Sequence, residues 1–550
     1  MTAGAVRVSA WFSVGLAGCA FAVLLSGPAR AQDPQPPTDP VLKNPIPDQP
    51  PRNKEVETPP PAPGITPGAL PASLTLDQAI SFALRLQPTV ANAVANREAA
   101  AERRLATQSR YYPTVTPVYQ FVDQYSFGRV NQFVGGSVGV ITVSQGRTST
   151  TKQAQIGASV NLFDSGEREL SARQARQSLR AAEYNETNAR QTVIGNVADA
   201  YFSVLRTEAL VRVSQAQVTR AQNTLDVVTA QAEAGVTARK DIFQAQADFL
   251  NAQVNLLQAQ NNAAIAQATL KQSIGVVGGE PLRLAEVILP DVNTPISAVP
   301  APPQSPAANQ TTPARPPGEG VRAGEDAQLI DQLSATAYRT RPDIAANRQN
   351  VEVQRTSASL ARVETGVQVA ASATAADQFD ADRFNSSIGN NRQFNLSLSY
   401  PLFDGGFVRS NFRASQATAR AAEAQLLNLR QQVTVEVEQA YRTLAQNRAS
   451  LPASAAAVQA ARINYEAAIL SRKEGVGSIV DVITAQTALV QAETNYVQAI
   501  YNFYAADARL ARAVGQAEKI SRIGQTAPAN TPPIQFTDVP SADADAPATP

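Results

Sequence analysis

The chain has no histidine, one cysteine and one methionine in 550 residues. Without histidine, and with almost no cysteine, the usual ligands for zinc, copper and haem are missing, as is the commonest general base. Lysines and carboxylates remain, but no arrangement of them marks a catalytic, cofactor or metal site, so a non-enzyme is expected. Net charge is also lacking: formal charge is +1, with 17% charged and 44% apolar residues. There is no basic footprint for nucleic acid and no acidic tail.

Proline is absent from most of the chain. Of 37 prolines, fourteen lie from Pro34 to Pro71, ten from Pro281 to Pro317 and six from Pro528 to Pro550. These stretches are polar and non-periodic, and are expected to be extended or disordered. The N-terminus reads as a secretory signal. Arg7 precedes an apolar run from Val8 to Ser26, and Ala29-Arg30-Ala31 is a small-x-small cleavage site. A competing feature is Leu16-Ala17-Gly18-Cys19, which resembles a lipobox; cleavage there would leave Cys19 lipidated. With the other cleavage, the mature chain has no thiol, which suits an oxidising compartment. The expected organisation is a signal peptide (1–31), a Pro-rich disordered segment (32–73), repeat 1 (74–279), a Pro-rich linker (280–325), repeat 2 (326–516) and a disordered tail (517–550).

What is present is one unit written twice. Leu162-Phe163-Asp164-Ser165-Gly166 returns 240 residues later as Leu402-Phe403-Asp404-Gly405-Gly406. Ala200-Tyr201, Gly235-Val236, Asp241, Ala245-Gln246, Leu270 and Gly275 return at the same offset as Ala440-Tyr441, Gly475-Val476, Asp481, Ala485-Gln486, Leu510 and Gly515. A repeat of this length is a statement about architecture.

Each repeat opens with a helical pattern, to about Arg110 and to about Val363, with Pro88 and Pro342 ending a short first turn and starting the longer helix. Period-two stretches follow. In 155–162 the apolar set is Ile156, Ala158, Val160 and Leu162; in 395–402 it is Leu396, Leu398, Tyr400 and Leu402. Each has a preceding partner, near Thr114 to Asp123 and near Val367 to Ala375, through connections containing Gly135-Gly136 and Gly389-Asn390-Asn391. One face is apolar, the other small and polar, and aromatics gather nearby. A soluble hairpin with one buried face has this pattern; so does a membrane hairpin between lipid and water, which is favoured after a secretion signal.

Next comes a very long helix. Val193, Val197, Ala200, Val204, Thr207, Val211, Ser214, Val218, Ala221, Leu225 and Val228 alternate steps of four and three. Val433 to Ala468 repeats the register. A sustained heptad means coiled-coil packing. Pro452 is expected to kink the second copy. Each long segment has about the length of its leading and trailing helices together, so two short helices stacked end to end can flank one long one. That predicts a rod of helices capped by β-hairpins. Four strands cannot close a barrel, and an open edge cannot face lipid. The chain must oligomerise: two copies make eight strands, three make twelve.

The motifs Leu74-Thr75-Leu76-Asp77-Gln78-Ala79, Tyr112-Pro113-Thr114, the two Leu-Phe-Asp-x-Gly turns, and the two Gly-Val-x₄-Asp segments resemble the TolC-like outer-membrane efflux family. The resemblance covers both repeats. It implies an α+β membrane protein: a homotrimer with a twelve-stranded barrel in outer-membrane lipid and a helical barrel in the periplasm. It implies a passive exit duct for a tripartite efflux pump or type I secretion system. The partners would be a periplasmic adaptor (membrane fusion) protein and an inner-membrane transporter of RND or ABC type.

By the same resemblance the tips Gly235-Val236 and Gly475-Val476 would receive the adaptor, and Asp481 would stand at the pore constriction with Asp241 as its equivalent. Thr484 stands where the family places a second acid, and Arg472 and Gly477 stand at its aromatic and arginine positions. Simpler roles exist. Gly235 and Gly475 suit helix C′ positions, and Ser478-x-x-Asp481 has the form of a capping box, with both acids in a helical first turn. Arg239, Lys240, Arg472 and Lys473 make the tips basic, and could pair with those acids or with an acidic adaptor. The alternative function is a periplasmic coiled-coil adaptor or structural protein, which would need no lipid-facing strands and no detergent for extraction.

Overall fold

The computed structural model describes residues 73–133, 140–276, 282–285, 323–380 and 389–523. The signal segment, Cys19, most of the Pro-rich stretches and Gly135-Gly136 lie outside the described residues.

Each repeat opens with two helices. In repeat 1 they are α1 (Leu76–Leu86) and α2 (Pro88–Gln108). Thr75 starts α1 with a reciprocal capping box: its Oγ1 accepts from the Gln78 amide, and its own amide donates to Gln78 Oε1. In repeat 2 they are α5 (Ala323–Thr340) and α6 (Pro342–Val363). A residue before proline is pushed out of the helical region, and Gln87 and Arg341 are extended, at ψ 121° and 123°. The prolines therefore divide two full helices, where a single short turn was expected. α5 also begins inside the segment assigned to the Pro-rich linker.

The long helices are α3 (Glu167–Glu233) and α7 (Phe407–Lys473), 67 residues each and offset by 240. The trailing helices are α4 (Arg239–Ile274) and α8 (Ile479–Ala513). α4 ends at Gly275, at φ +89°, and α8 at Gly515, at φ +81°. A Cβ on Gly275 would lie 2.9 Å from the Leu86 carbonyl oxygen; on Gly515, 3.0 Å from the Arg341 amide nitrogen. Glycine is needed on both counts, conformation and space. The approach sets the end of α4 against the start of α2, and the end of α8 against the start of α6. Both α2 and α4 pack on α3, and both α6 and α8 pack on α3 and α7. The expected end-to-end stack is present, but it begins at the prolines. α1 lies beside α3.

Every position of the heptad seams is buried or half-buried. α3 buries a second stripe as well: Ala198, Tyr201, Phe202, Leu205, Ala209 and Val213. Phe202 stacks on Tyr504 of α8 at 5.5 Å. α7 shows no second stripe of that kind. It also runs unbroken across Pro452.

Two segments assigned to irregular chain are ordered into this core. Leu74 pairs with Leu284 in a parallel bridge, with the Leu74 amide 2.8 Å from the Arg283 carbonyl and the Ala285 amide 3.0 Å from that of Leu74. The buried Tyr201 hydroxyl lies 2.9 Å from the Ala285 carbonyl. Past α8, a 3-10 helix at Ala517–Arg522 buries Ala517 and Ile520, so the start of the tail is structured. The apolar spacing of Ala517, Ile520 and Ile523 carries it.

The strands are β1 (Thr114–Phe133), β2 (Val140–Phe163), β3 (Gln368–Asp380) and β4 (Gly389–Ser399). They form one antiparallel sheet in the order β1-β2-β3-β4. Gly389-Asn390-Asn391, expected in a connection, belongs to β4, and β4 stops before Tyr400 and Leu402. β1 is twice and β2 three times the expected length. β3 pairs with β2 only from Thr151 onward, so 140–150 pair with β1 alone. That ribbon carries no sustained apolar alternation in its sequence, and so it left no periodic signal.

Candidate functional site: the helical tips and the open sheet

At the tips, α3 and α7 end in the same way. Val236 N–H donates to the Gln231 carbonyl at 2.9 Å, and Val476 N–H to that of Ser471 at 3.0 Å. These i→i−5 bonds are Schellman closures, and they need a left-handed C′ residue. Gly235 and Gly475 supply it, both at φ +77°. The closure turns the next side chains outward: Val236 is 77% exposed and Val476 87%.

The candidate gate residues divide. Asp481 completes its capping box: Oδ2 accepts from the Ser478 amide at 2.9 Å, and Ser478 Oγ from the Val480 amide at 3.0 Å. Asp241 has no such role as a capping-box partner, because the N-cap of α4 is Ala238, which has no side-chain oxygen. Thr484 is exposed and turns its hydroxyl back to the Val480 carbonyl at 2.7 Å. Among the described residues neither Asp241 nor Asp481 forms a salt bridge within the chain. Arg239, Lys240 and Lys473 are exposed.

Arg472 is different. Its Nη2 donates to Gln231 Oε1 and to Thr237 Oγ1, both at 3.3 Å. It thereby ties the end of α7 to the end of α3 and to the α3–α4 turn. Within the chain it pairs with neutral oxygens rather than with Asp241 or Asp481. An apolar cluster of Val228, Ala245 and Ile479 joins the same two tips.

Farther along the helices lies a polar set that the sequence reading missed. Arg220 of α3 and Glu493 of α8 form a buried ion pair, 273 residues apart. Gln486, 1% exposed, donates to Asp248 Oδ2 at 3.2 Å, while its own Oε1 is buried without a partner. Burial pushes the Asp248 carboxyl above the ordinary range, and the Gln486 bond works against that rise. A signal existed: Gln486, Leu489, Glu493, Val497 and Ile500 fall on one helical stripe, and a glutamate inside an apolar stripe points to a buried partner.

The sheet register sorts the strand residues by face, since directly paired residues share one. One face carries Val115, Tyr119 and Phe121 on β1; Ala154, Ile156, Ala158 and Val160 on β2; Ala371, Ala373 and Ala375 on β3; and Phe394, Leu396 and Leu398 on β4. The opposite face carries Thr116, Gln120, Gln155, Ser159, Ser372, Thr374, Asn395 and Ser397, with Val118, Val122, Ala370 and Ala376 as exceptions. The large side chains of the apolar face are open: Tyr119 is 68% exposed and Phe394 75%. At one end the band stops at Asp123, Lys152, Asp377 and Arg392. From Ala154 to Leu162 it spans roughly 27 Å of strand at about 3.3 Å per residue. Tilted as barrel strands are, that approaches the apolar band of roughly 25 Å found on outer-membrane barrels. No helix of the described residues is long and apolar enough to cross a membrane.

Comparison with known proteins agrees with this arrangement. The outer membrane efflux protein family model matches residues 79–276 and 333–516. The chain is 24% identical over 385 residues to the outer membrane efflux protein BepC of Brucella suis biovar 1 (strain 1330), covering 69% of this chain and 76% of that protein. It is 24% identical over 382 residues to the outer membrane protein TolC of Escherichia coli (strain K12), covering 68% and 71%. Among solved structures, the fold matches CusC with a TM-score of 0.63 at 17% identity, covering 80% of this chain and 92% of that one.

Proposed function

The chain belongs to the outer membrane efflux protein family, and from that premise we propose that it is the passive exit duct of a tripartite efflux pump or type I secretion system. Three copies join their four-stranded sheets edge to edge into a twelve-stranded barrel in the outer membrane, and their helices form the periplasmic tunnel. The observation that carries the reading is the sheet. It has an apolar face without a cover and two free edges, β1 and β4. In hydrocarbon every backbone N–H and C=O needs a partner. Pairing β4 of one copy with β1 of the next satisfies both edges at once.

The tips are the periplasmic mouth. Gly235-Val236 and Gly475-Val476 dock a periplasmic adaptor, which couples the duct to an inner-membrane transporter of RND or ABC type. Asp481, Asp241 and Thr484 ring the constriction, and Arg472 holds the two tips of a protomer together. A periplasmic adaptor or structural coiled coil, the alternative, has no use for an uncovered apolar sheet.

The test is a photo-crosslinking residue at Val236 or Val476, irradiated in living cells, with captured proteins identified by mass spectrometry. Capture of a periplasmic adaptor is expected at one tip or both. Capture of nothing at either, with the protein present in the outer membrane, overturns the docking assignment.

A further inference from the structure

α8 packs against both α3 and α7, and residues of all three helices line one groove. Two hollows of about 290 and 440 Å³ occupy it, and they share Asp199, Thr443 and Arg509. The groove lies on the side of α3 away from the Leu74–Leu284 bridge. Tyr201 reaches that bridge, whereas Asp199 and Ser203, each two residues away, lie about 200° around the helix. Arg206 lines the groove beside Ser203.

The charges in this groove do not balance. Arg206 Nη1 donates to Asn502 Oδ1 at 3.3 Å, and its Nη2 to Ser203 Oγ at 3.4 Å; both acceptors are neutral. Arg512 Nη1 reaches Asn196 Oδ1 at 3.5 Å, also neutral. Arg509 donates through Nε to Asp199 at 3.0 Å, which leaves the rest of its fork turned to solvent at 61% exposure. Glu436, from the α7 wall, shares Arg341 with Asp343, at 2.9 and 2.8 Å. Glu438 and Arg442, farther along α7, neutralise each other. Three guanidiniums thus face two carboxylates, Asp199 and Glu436. Burial raises the Asp199 pKa, against the opposing pull of Arg509.

Two features mark this as a built site. First, Gly195 sits inside α3 where alanine would be the better helix former by about 1 kcal/mol. A Cβ there would meet Arg512 Cδ at 2.7 Å, so the glycine makes room for the arginine stem. Second, the charges are absent from the other repeat. At the offset of 240, Gly195, Asp199 and Arg206 correspond to Val435, Gln439 and Gln446; Arg509 and Arg512 correspond to Thr269 and Gln272. The duplicated scaffold is neutral at every equivalent position, so the charges are not a requirement of the fold.

We propose that the groove between α3 and α7 binds solutes carrying clustered oxyanions, through Arg206, Arg509 and Arg512. Guanidinium forks match carboxylate and phosphate oxygens two at a time. On the reading of the chain as a duct, the side away from the bridge is the lumen, and the groove would hold anionic groups of passing cargo.

The probe is inorganic tripolyphosphate, followed by phosphorus NMR line broadening with the purified full chain in detergent. Broadening is expected from the native chain. It should weaken by about tenfold for each guanidinium removed in Arg206→Gln and Arg512→Gln, persist in Arg206→Lys, and strengthen in Asp199→Asn. The tip variant Arg239→Gln with Lys240→Gln should bind as the native chain does. Circular dichroism confirms that each variant keeps its helices. No broadening by the native chain, or equal loss from the groove and tip variants, overturns the proposal. The assay needs only the folded chain, so it fails or succeeds independently of adaptor capture at the tips.

Discussion

Arg220 and Glu493 meet in a two-bond ion pair between α3 and α8, with Nη2–Oε2 at 2.7 Å and Nη1–Oε1 at 3.3 Å. The Glu493 side chain is 1% exposed. The Arg220 Nε–H beside it is buried without a partner. A buried pair is held by its own attraction against a large desolvation cost, so removing one member strands the other.

Glu493→Gln or Arg220→Met alone should therefore destabilise the chain by about 3–5 kcal/mol. The double variant Arg220→Met with Glu493→Leu should recover most of that loss, because no charge is left buried. Urea unfolding in detergent, followed by circular dichroism, measures both. Additive losses would show that the two residues are not coupled.

Arg472→Ala removes the tie from α7 to Gln231 and Thr237. If that tie holds the tips of a protomer together, single-channel conductance in planar bilayers should rise. Arg472→Lys, with a single-point donor that cannot span both oxygens, should fall between the two. An unchanged conductance would leave Arg472 as a packing residue only.

Asp248 has its carboxyl pushed up by burial, while the neighbouring Gln486 Oε1 lacks a donor. An acid whose folded pKa is raised favours folding when protonated. That stability is complete below the unfolded value near ~4 and is lost as pH rises through the folded value. Asp248→Asn removes the charge and brings an amide that can donate to Gln486. It should be more stable than the native chain at pH 7, with the advantage shrinking toward pH 4. Urea midpoints at the two pH values decide it; a constant difference would exclude the titration.

The two faces of β4 predict opposite tolerances. Leu396 lies on the apolar face and Asn395 on the polar one. If the sheet forms the proposed barrel with lipid outside, Leu396→Arg should cost about 2–4 kcal/mol near the bilayer midplane, and Asn395→Arg should assemble normally. Recovery of heat-stable oligomer from outer membranes reports both. Equal tolerance would remove lipid from the apolar face.

The duplication, the heptad seams and the tip glycines were all legible in the linear chain, because each is a local constraint. A helix that buries one stripe must repeat apolar residues every three or four positions, and a Schellman turn must have a residue that tolerates positive φ. Both repeats obey, so α3 and α7 come out equal in length, 240 residues apart. Asp481 as a cap was readable for the same reason, since its partner Ser478 is three residues away.

Tertiary structure decided what locality cannot encode. The two repeats share one pattern, yet α3 buries a second stripe and α7 does not. The asymmetry arises because α3 touches helices of both repeats, α2 and α4 of the first and α6 and α8 of the second. The partners of Arg220, Gln486, Arg472 and Tyr201 lie far away in sequence, and the periodicity of one helix is silent about which residue faces it from another. The pairing of β2 with β3 across the repeat boundary is likewise a matter of register between distant strands. The chain determined by itself which elements form and which side of each is apolar. Only packing determined which charges were enclosed, because desolvation acts on a side chain through whatever lies against it in space.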